Sequence, residues 1–139
     1  MNIGILGGTF DPVHIGHLHI ARAAADEYAL DRVWLMPAGD PYFKSDKHVT
    51  PPWLRLRMAE AAAEGDSIFE CCTEEIKDRA ATHTAETLTR LCSKYPEHRF
   101  FFILGLDSLF QLHKWYRPDI ILKKATILCA SRDSADYDE

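Results

Sequence analysis

Ile3-Gly4-Ile5-Leu6-Gly7-Gly8-Thr9-Phe10-Asp11-Pro12-Val13-His14-Ile15-Gly16-His17 is the stretch whose reading decides the fold. Ile3 to Leu6 is a short apolar run of strand character, and from Gly16 to Tyr28 the residues Leu18, Ala21, Ala25 and Tyr28 recur at helical spacing. Between them Gly7 and Gly8, free to adopt positive φ and lacking a Cβ, let a bulky anion approach the main chain. Asp11-Pro12 is turn chemistry, with proline fixing φ and the carboxylate able to bond nearby N–H groups. The helix start carries His14 and His17. Backbone donors there, backed by the helix dipole, favour a negative ligand by roughly 0.3–1 kcal/mol when exposed and up to ~2 kcal/mol when partly buried. Strand, glycine loop and histidine-bearing helix start together imply a nucleotide phosphate site. The glycine spacing is not that of the GxGxxG dinucleotide fingerprint.

Outward from this segment, strand-like runs appear at Val33 to Met36, Ile68 to Cys72, Phe100 to Leu104 and Thr126 to Ala130. Helical patterns separate them. After Pro51-Pro52, Leu54, Met58, Ala61 and Ala62 share one face, with Arg55 and Arg57 assigned to the solvated side; Ala85, Leu88, Leu91, Cys92 and Tyr95 share the face of the next helix. Alternation of this kind predicts an α/β fold with a doubly wound, Rossmann-like parallel sheet of about five strands. Such sheets bind ligands beyond the carboxyl ends of their strands, where the loops bearing His14, Lys44 and Gly105 would emerge.

Composition narrows the classes. At 139 residues and 47% hydrophobic, the chain reads as a single domain, 1–139, burying roughly two thirds of its unfolded surface. A net charge of −5 argues against a nucleic-acid partner, which calls for a basic face. Cys71, Cys72, Cys92 and Cys129 form no CxxC pair and are expected as reduced thiols. No apolar stretch approaches 18 residues and the first strand begins almost at Met1, so no membrane partner and a cytoplasmic location are expected. His14, His17 and His19 lack the further ligands of a structural zinc site, so no protein-held metal is expected. The acidic residues Asp133, Asp136, Asp138 and Glu139 are expected to form a frayed end. Oligomeric state is not legible.

The run GGTFDPVHIGH resembles the signature of the HxGH nucleotidyltransferase superfamily, and in this wording that of bacterial nicotinate-nucleotide adenylyltransferases. Pro41-Tyr42-Phe43-Lys44 is similar to that family's Pro-Pro-His-Lys loop, and Thr82-His83-Thr84-Ala85-Glu86-Thr87-Leu88 to its Ser-Tyr-Thr-x-Asp-Thr-Leu helix start. Gly105-Leu106-Asp107-Ser108-Leu109 with Trp115 resembles its Gly-x-Asp-x-Leu block and following Trp. The chain departs from the pattern at Tyr42-Phe43, His83 and Glu86. Ser131-Arg132 is similar to the end of an earlier family strand, so the family's Ile-Ser-Ser-Thr-x-x-Arg motif is expected beyond Glu139.

The resemblance implies transfer of an adenylyl group from ATP to nicotinate mononucleotide, giving deamido-NAD and pyrophosphate, with Mg²⁺ accompanying ATP. It makes His14 and His17 the catalytic donors and Gly7, Gly8, Thr9, Phe10, Gly16 and Gly105 the lining of the ATP phosphate site. Lys44, Thr84, Asp107 and Trp115 would hold the mononucleotide: Lys44 on a phosphate, Thr84 on the nicotinate carboxylate, Trp115 stacked on the pyridine ring. Asp107 would reach a ribose or a phosphate-linked group, the rival reading being a helix cap. Two rival functions stand beside this one. One is adenylyl transfer to another acceptor, nicotinamide mononucleotide or pantetheine phosphate; the other is a noncatalytic mononucleotide-binding fragment, since without the Ser-Thr-Arg segment the chain is expected to bind mononucleotide but turn over poorly.

Overall fold

The alternating apolar runs pair into one all-parallel, five-stranded sheet of order β3-β2-β1-β4-β5. The computed structural model describes residues 1–39, 50–77 and 83–130. Its strands are β1 (Asn2–Gly8), β2 (Arg32–Pro37), β3 (Phe69–Cys71), β4 (Arg99–Gly105) and β5 (Thr126–Ala130). Helices α1 (Ile15–Tyr28), α2 (Pro52–Ala63), α3 (Glu74–Lys77), α4 (Thr84–Lys94), α5 (Leu106–Gln111) and α6 (Pro118–Lys124) lie between them. All five predicted strands are present, with ends shifted by no more than two residues.

Because side chains alternate across a strand, each strand feeds two cores. Leu6, Val33, Leu35 and Ile103 join Ala21, Ala24 and Ala25 of α1 and Ala59 of α2 on one face. Ile3, Ile5, Phe100, Phe102 and Leu104 join Ala85, Leu88 and Leu91 of α4 and Ile121 of α6 on the other. Helices therefore cover both faces, as predicted. Gly4 keeps the first face closed: a Cβ there would lie 2.7 Å from Leu30 Cδ1 and 3.2 Å from Ile103 Cδ1.

Two predicted helix faces need correction. In α1 Ala21, Ala24 and Ala25 are buried and Leu18 packs partly buried against the same core, while Tyr28 is 47% exposed in the last turn. In α2 the buried residues are Arg55 and Ala59, and Leu54 and Ala61 are exposed. Arg55, assigned from sequence to solvent, is fully buried because its guanidinium finds backbone carbonyls inside; Arg57 is exposed as expected.

The sheet order reverses between β1 and β4, the strands before it running outward to β3 and those after it to β5. At such a switch point the flanking connections diverge to opposite faces and leave a crevice at the carboxyl edge. Gly8 ends β1 and Gly105 ends β4 at that edge.

Candidate active site

Gly7 and Gly8 are strand residues rather than loop residues, paired in register with Met36 and Pro37 of β2. None of the described glycines uses the positive φ open to it; in the loop after β1 the left-handed residue is Phe10, at φ 51°. At Gly8 a Cβ would stand 3.1 Å from the Phe10 ring, a tight contact that the ring would have to yield to. Phe10 is buried and meets the His17 ring edge-on at 5.1 Å between centroids. Asp11 anchors the loop that follows β1. Its carboxylate, read from sequence as a partner for backbone N–H groups, accepts from the Thr50 N–H at 3.0 Å and ties the β1 loop to the start of α2.

His14 is the N-cap of α1, with extended backbone, and Ile15 rather than Gly16 is the first helical residue. The Gly16 N–H donates to His14 Nδ1 at 3.2 Å, and the His14 N–H donates to His17 Nδ1 at 3.1 Å. This is a capping box made from two imidazoles in place of the usual hydroxyl and carboxylate. The rings lie 3.9 Å apart at 30°. A Cβ at position 16 would meet the His14 ring at 3.0–3.1 Å, so a larger residue would press on the ring that caps the helix.

The electrostatic consequence follows from the bonding. A backbone N–H only donates, so each Nδ1 is an acceptor and each neutral ring carries its proton on Nε2. Nε2–H is then the donor that either ring can offer to an anion. Burial, and second the neighbouring His14, pull the His17 pKa below its ordinary value and hold the ring neutral.

The second half of the predicted site lies across the sheet. Thr84 opens α4, with His83 as N-cap and Glu86 accepting from the His83 N–H at 3.2 Å. The His83 ring stacks on Tyr116, centroids 4.5 Å apart, which brings Thr84 and Trp115 into one neighbourhood. Trp115 is partly buried and packs edge-on against Phe102 at 6.3 Å, so one of its roles is core packing. Gly105 is the N-cap of α5, with open space where a Cβ would be. Asp107, exposed in the first turn of that helix, is not its cap, which corrects that rival reading. Lys44 and its neighbours Pro41-Tyr42-Phe43 lie outside the described residues, as do Ser131-Arg132 and the acidic end.

Behind the β1 loop sits Arg55, a buried residue that the sequence reading assigned to solvent. Arg55 donates to the carbonyls of Thr9, Ala38, Gly39 and Thr50 at 2.6–2.9 Å. Its spacing of four from the buried Ala59 was the available signal. The four cysteines are free thiols, and burial pushes Cys71 up to about 11.

A three-layer parallel fold with histidine donors at the switch point defines a nucleotidyltransferase-type protein, and residues 5–138 match the cytidylyltransferase-like family model. The chain is 39% identical over 137 residues to a protein of Lachnoclostridium phytofermentans named as a nicotinate-nucleotide adenylyltransferase, covering 99% of this chain and 68% of that one. Relatives named alike in Shewanella pealeana and Exiguobacterium sibiricum are 44% and 39% identical, covering 84% and 99% of this chain and 53% and 72% of their own lengths. The chain thus belongs to the nicotinate-nucleotide adenylyltransferase family. A crystal structure so named from Vibrio parahaemolyticus superposes with a TM-score of 0.77 at 21% identity, covering 98% of this chain and 77% of that one. A Plasmodium falciparum nicotinic acid mononucleotide adenylyltransferase complexed with NaAD superposes at 0.71 and 19% identity, covering 94% and 74%. At these identities the likeness is one of fold. Among the described residues no helix is long and apolar enough to cross a membrane.

Proposed function

We propose that this protein transfers the adenylyl group of ATP to nicotinate mononucleotide, releasing pyrophosphate and forming deamido-NAD. The observation that carries the reading is the imidazole capping box at the N-terminus of α1, in which both Nδ1 atoms accept backbone N–H groups and both Nε2 atoms are left to donate beside a helix N-terminus.

The chemistry asks for donors rather than a base. A phosphate monoester has a second pKa of about 6 and is anionic at neutral pH, so it needs no deprotonation to act as nucleophile. Its oxygen attacks the α-phosphorus in line; the new P–O bond forms as the α–β bridging P–O bond breaks, and the charge leaves with pyrophosphate. The residues' work is placement and charge stabilisation. In this reading His14 and His17 donate to the triphosphate, while Gly7, Gly8, Thr9, Phe10, Gly16 and Gly105 line the space around it. Lys44 contacts the mononucleotide phosphate, Thr84 the carboxylate, Trp115 the pyridine face and Asp107 the ribose side. Mg²⁺ would arrive with ATP, its charge offsetting that of the phosphate oxygens.

The test supplies ATP and Mg²⁺ with either nicotinate or nicotinamide mononucleotide and follows pyrophosphate release. The expected result is turnover with the acid acceptor and a markedly lower rate with the amide. Equal rates would contradict the assigned acceptor, and silence with both in a folded sample would contradict the activity.

A further inference from the structure

We propose that Arg55 is a positioning residue for the phosphate site, its buried guanidinium fastening the segments that leave β1 and β2 and thereby holding His17 in register. The inference deepens the adenylyl-transfer reading and rests on it for its kinetic arm.

Arg55 is 0% exposed. Its Nε donates to Thr50 O at 2.8 Å, one terminal nitrogen to Thr9 O at 2.6 Å and Ala38 O at 2.8 Å, and the other to Gly39 O at 2.9 Å. The four acceptors come from three segments: the β1–α1 loop, the exit of β2 and the entry to α2. All three emerge beside the carboxyl edge of β1 and β2, and none of the four carbonyls lies in the middle of a strand. Two further bonds close the same knot, Ala38 N–H to Gly8 O at 2.7 Å and Thr50 N–H to the Asp11 carboxylate at 3.0 Å.

The route to the histidines is short. Thr9, whose carbonyl Arg55 grips, precedes Phe10, a bulky residue held in the left-handed region at φ 51°. A β-carbon-bearing residue stays there only where its surroundings over-determine it. The Phe10 ring so placed supports His17 edge-on at 5.1 Å. Guanidinium is the one side chain that presents donors in a rigid planar fork to several carbonyls at once, and lysine, a point donor, cannot span them.

The experiment compares the wild type, Arg55→Lys, His17→Ala and the double variant. Imidazole ¹⁵N NMR reads the tautomers, and steady-state kinetics reads the reaction. The expected Arg55→Lys protein melts cooperatively, shows His17 as a mixture of tautomers and loses about 100-fold in kcat, the scale of a catalytic group displaced by about 1 Å, with mononucleotide KM within about threefold. In the His17→Ala background the Arg55 change should cost little more. A folded Arg55→Lys protein with the native tautomer and kcat within about twofold, or losses that multiply in the double variant, would overturn the proposal. If Arg55→Lys does not fold, Arg55→Gln is read in the same way. Unfolding of both assigns Arg55 to stability alone and overturns it. The tautomer signal needs no turnover, so an inactive wild type would sink the adenylyl-transfer reading while the spectrum still decides this one.

Discussion

His17 can serve as a phosphate donor in one protonation state and one tautomer, and both are set locally. Protonating the ring puts a hydrogen on Nδ1, which costs the bond from the His14 N–H, and burial opposes the charge further. The imidazole should therefore titrate by NMR below the ordinary value of about 6.5. Since the unfolded chain binds the proton more readily, stability is fullest above about 6.5 and is lost as pH falls through the lower folded-state value. A midpoint at or above 6.5 would contradict the bonding described. The motif GGTFDPVHIGH showed which residues matter, but not this division of labour. Gly8 and Gly16 lie close against the Phe10 and His14 rings, and the left-handed residue of that loop is a phenylalanine, which no propensity would select. Arg55 was invisible for a related reason: an arginine in a helix reads as solvated until the carbonyls that receive it come together from Thr9, Ala38, Gly39 and Thr50, positions 5 to 46 residues away.

Among the elements, α4 shows how the second half-site is held. Thr87 is fully buried, and its hydroxyl donates to Glu75 Oε2 at 2.9 Å, with His83 O 3.3 Å away. Glu74 bridges Arg90 and Lys94 from the same short helix α3. Burial raises the Glu75 carboxyl above its usual range, and the Thr87 hydroxyl pulls it partway back. Thr87→Val leaves that carboxylate without its donor, so the variant should be destabilised by about 1–3 kcal/mol in urea unfolding at pH 7. At pH 4 the cost should shrink, because the protonated acid no longer needs the donor; an equal cost at both pH values would contradict the pairing. The strands were legible because a parallel sheet covered on both faces demands continuous apolar runs. The face of α2 was not, because its apolar residues are spread around the helix, and Trp53 and Leu54 stay exposed at 60% and 38% while Arg55 turns inward.

For the whole molecule, the order β3-β2-β1-β4-β5 does the assembling. It sends α1 with its imidazoles to one face and α4, with Thr84 and the His83–Tyr116 stack, to the other; in a parallel sheet both helices start from the carboxyl edge. The alternation of strands and helices predicts a doubly wound sheet, but the strand order becomes visible only in the paired registers. Half-sites on opposite faces should be separable in energy. The direct measurement is kcat alongside mononucleotide affinity for the wild type and His17→Ala. Loss of one preorganised donor from the phosphate half-site should lower kcat by about 10²–10³-fold and leave mononucleotide affinity nearly unchanged. Equal losses in both would contradict the account, making His17 a general binding residue and the switch-point crevice a single undivided pocket.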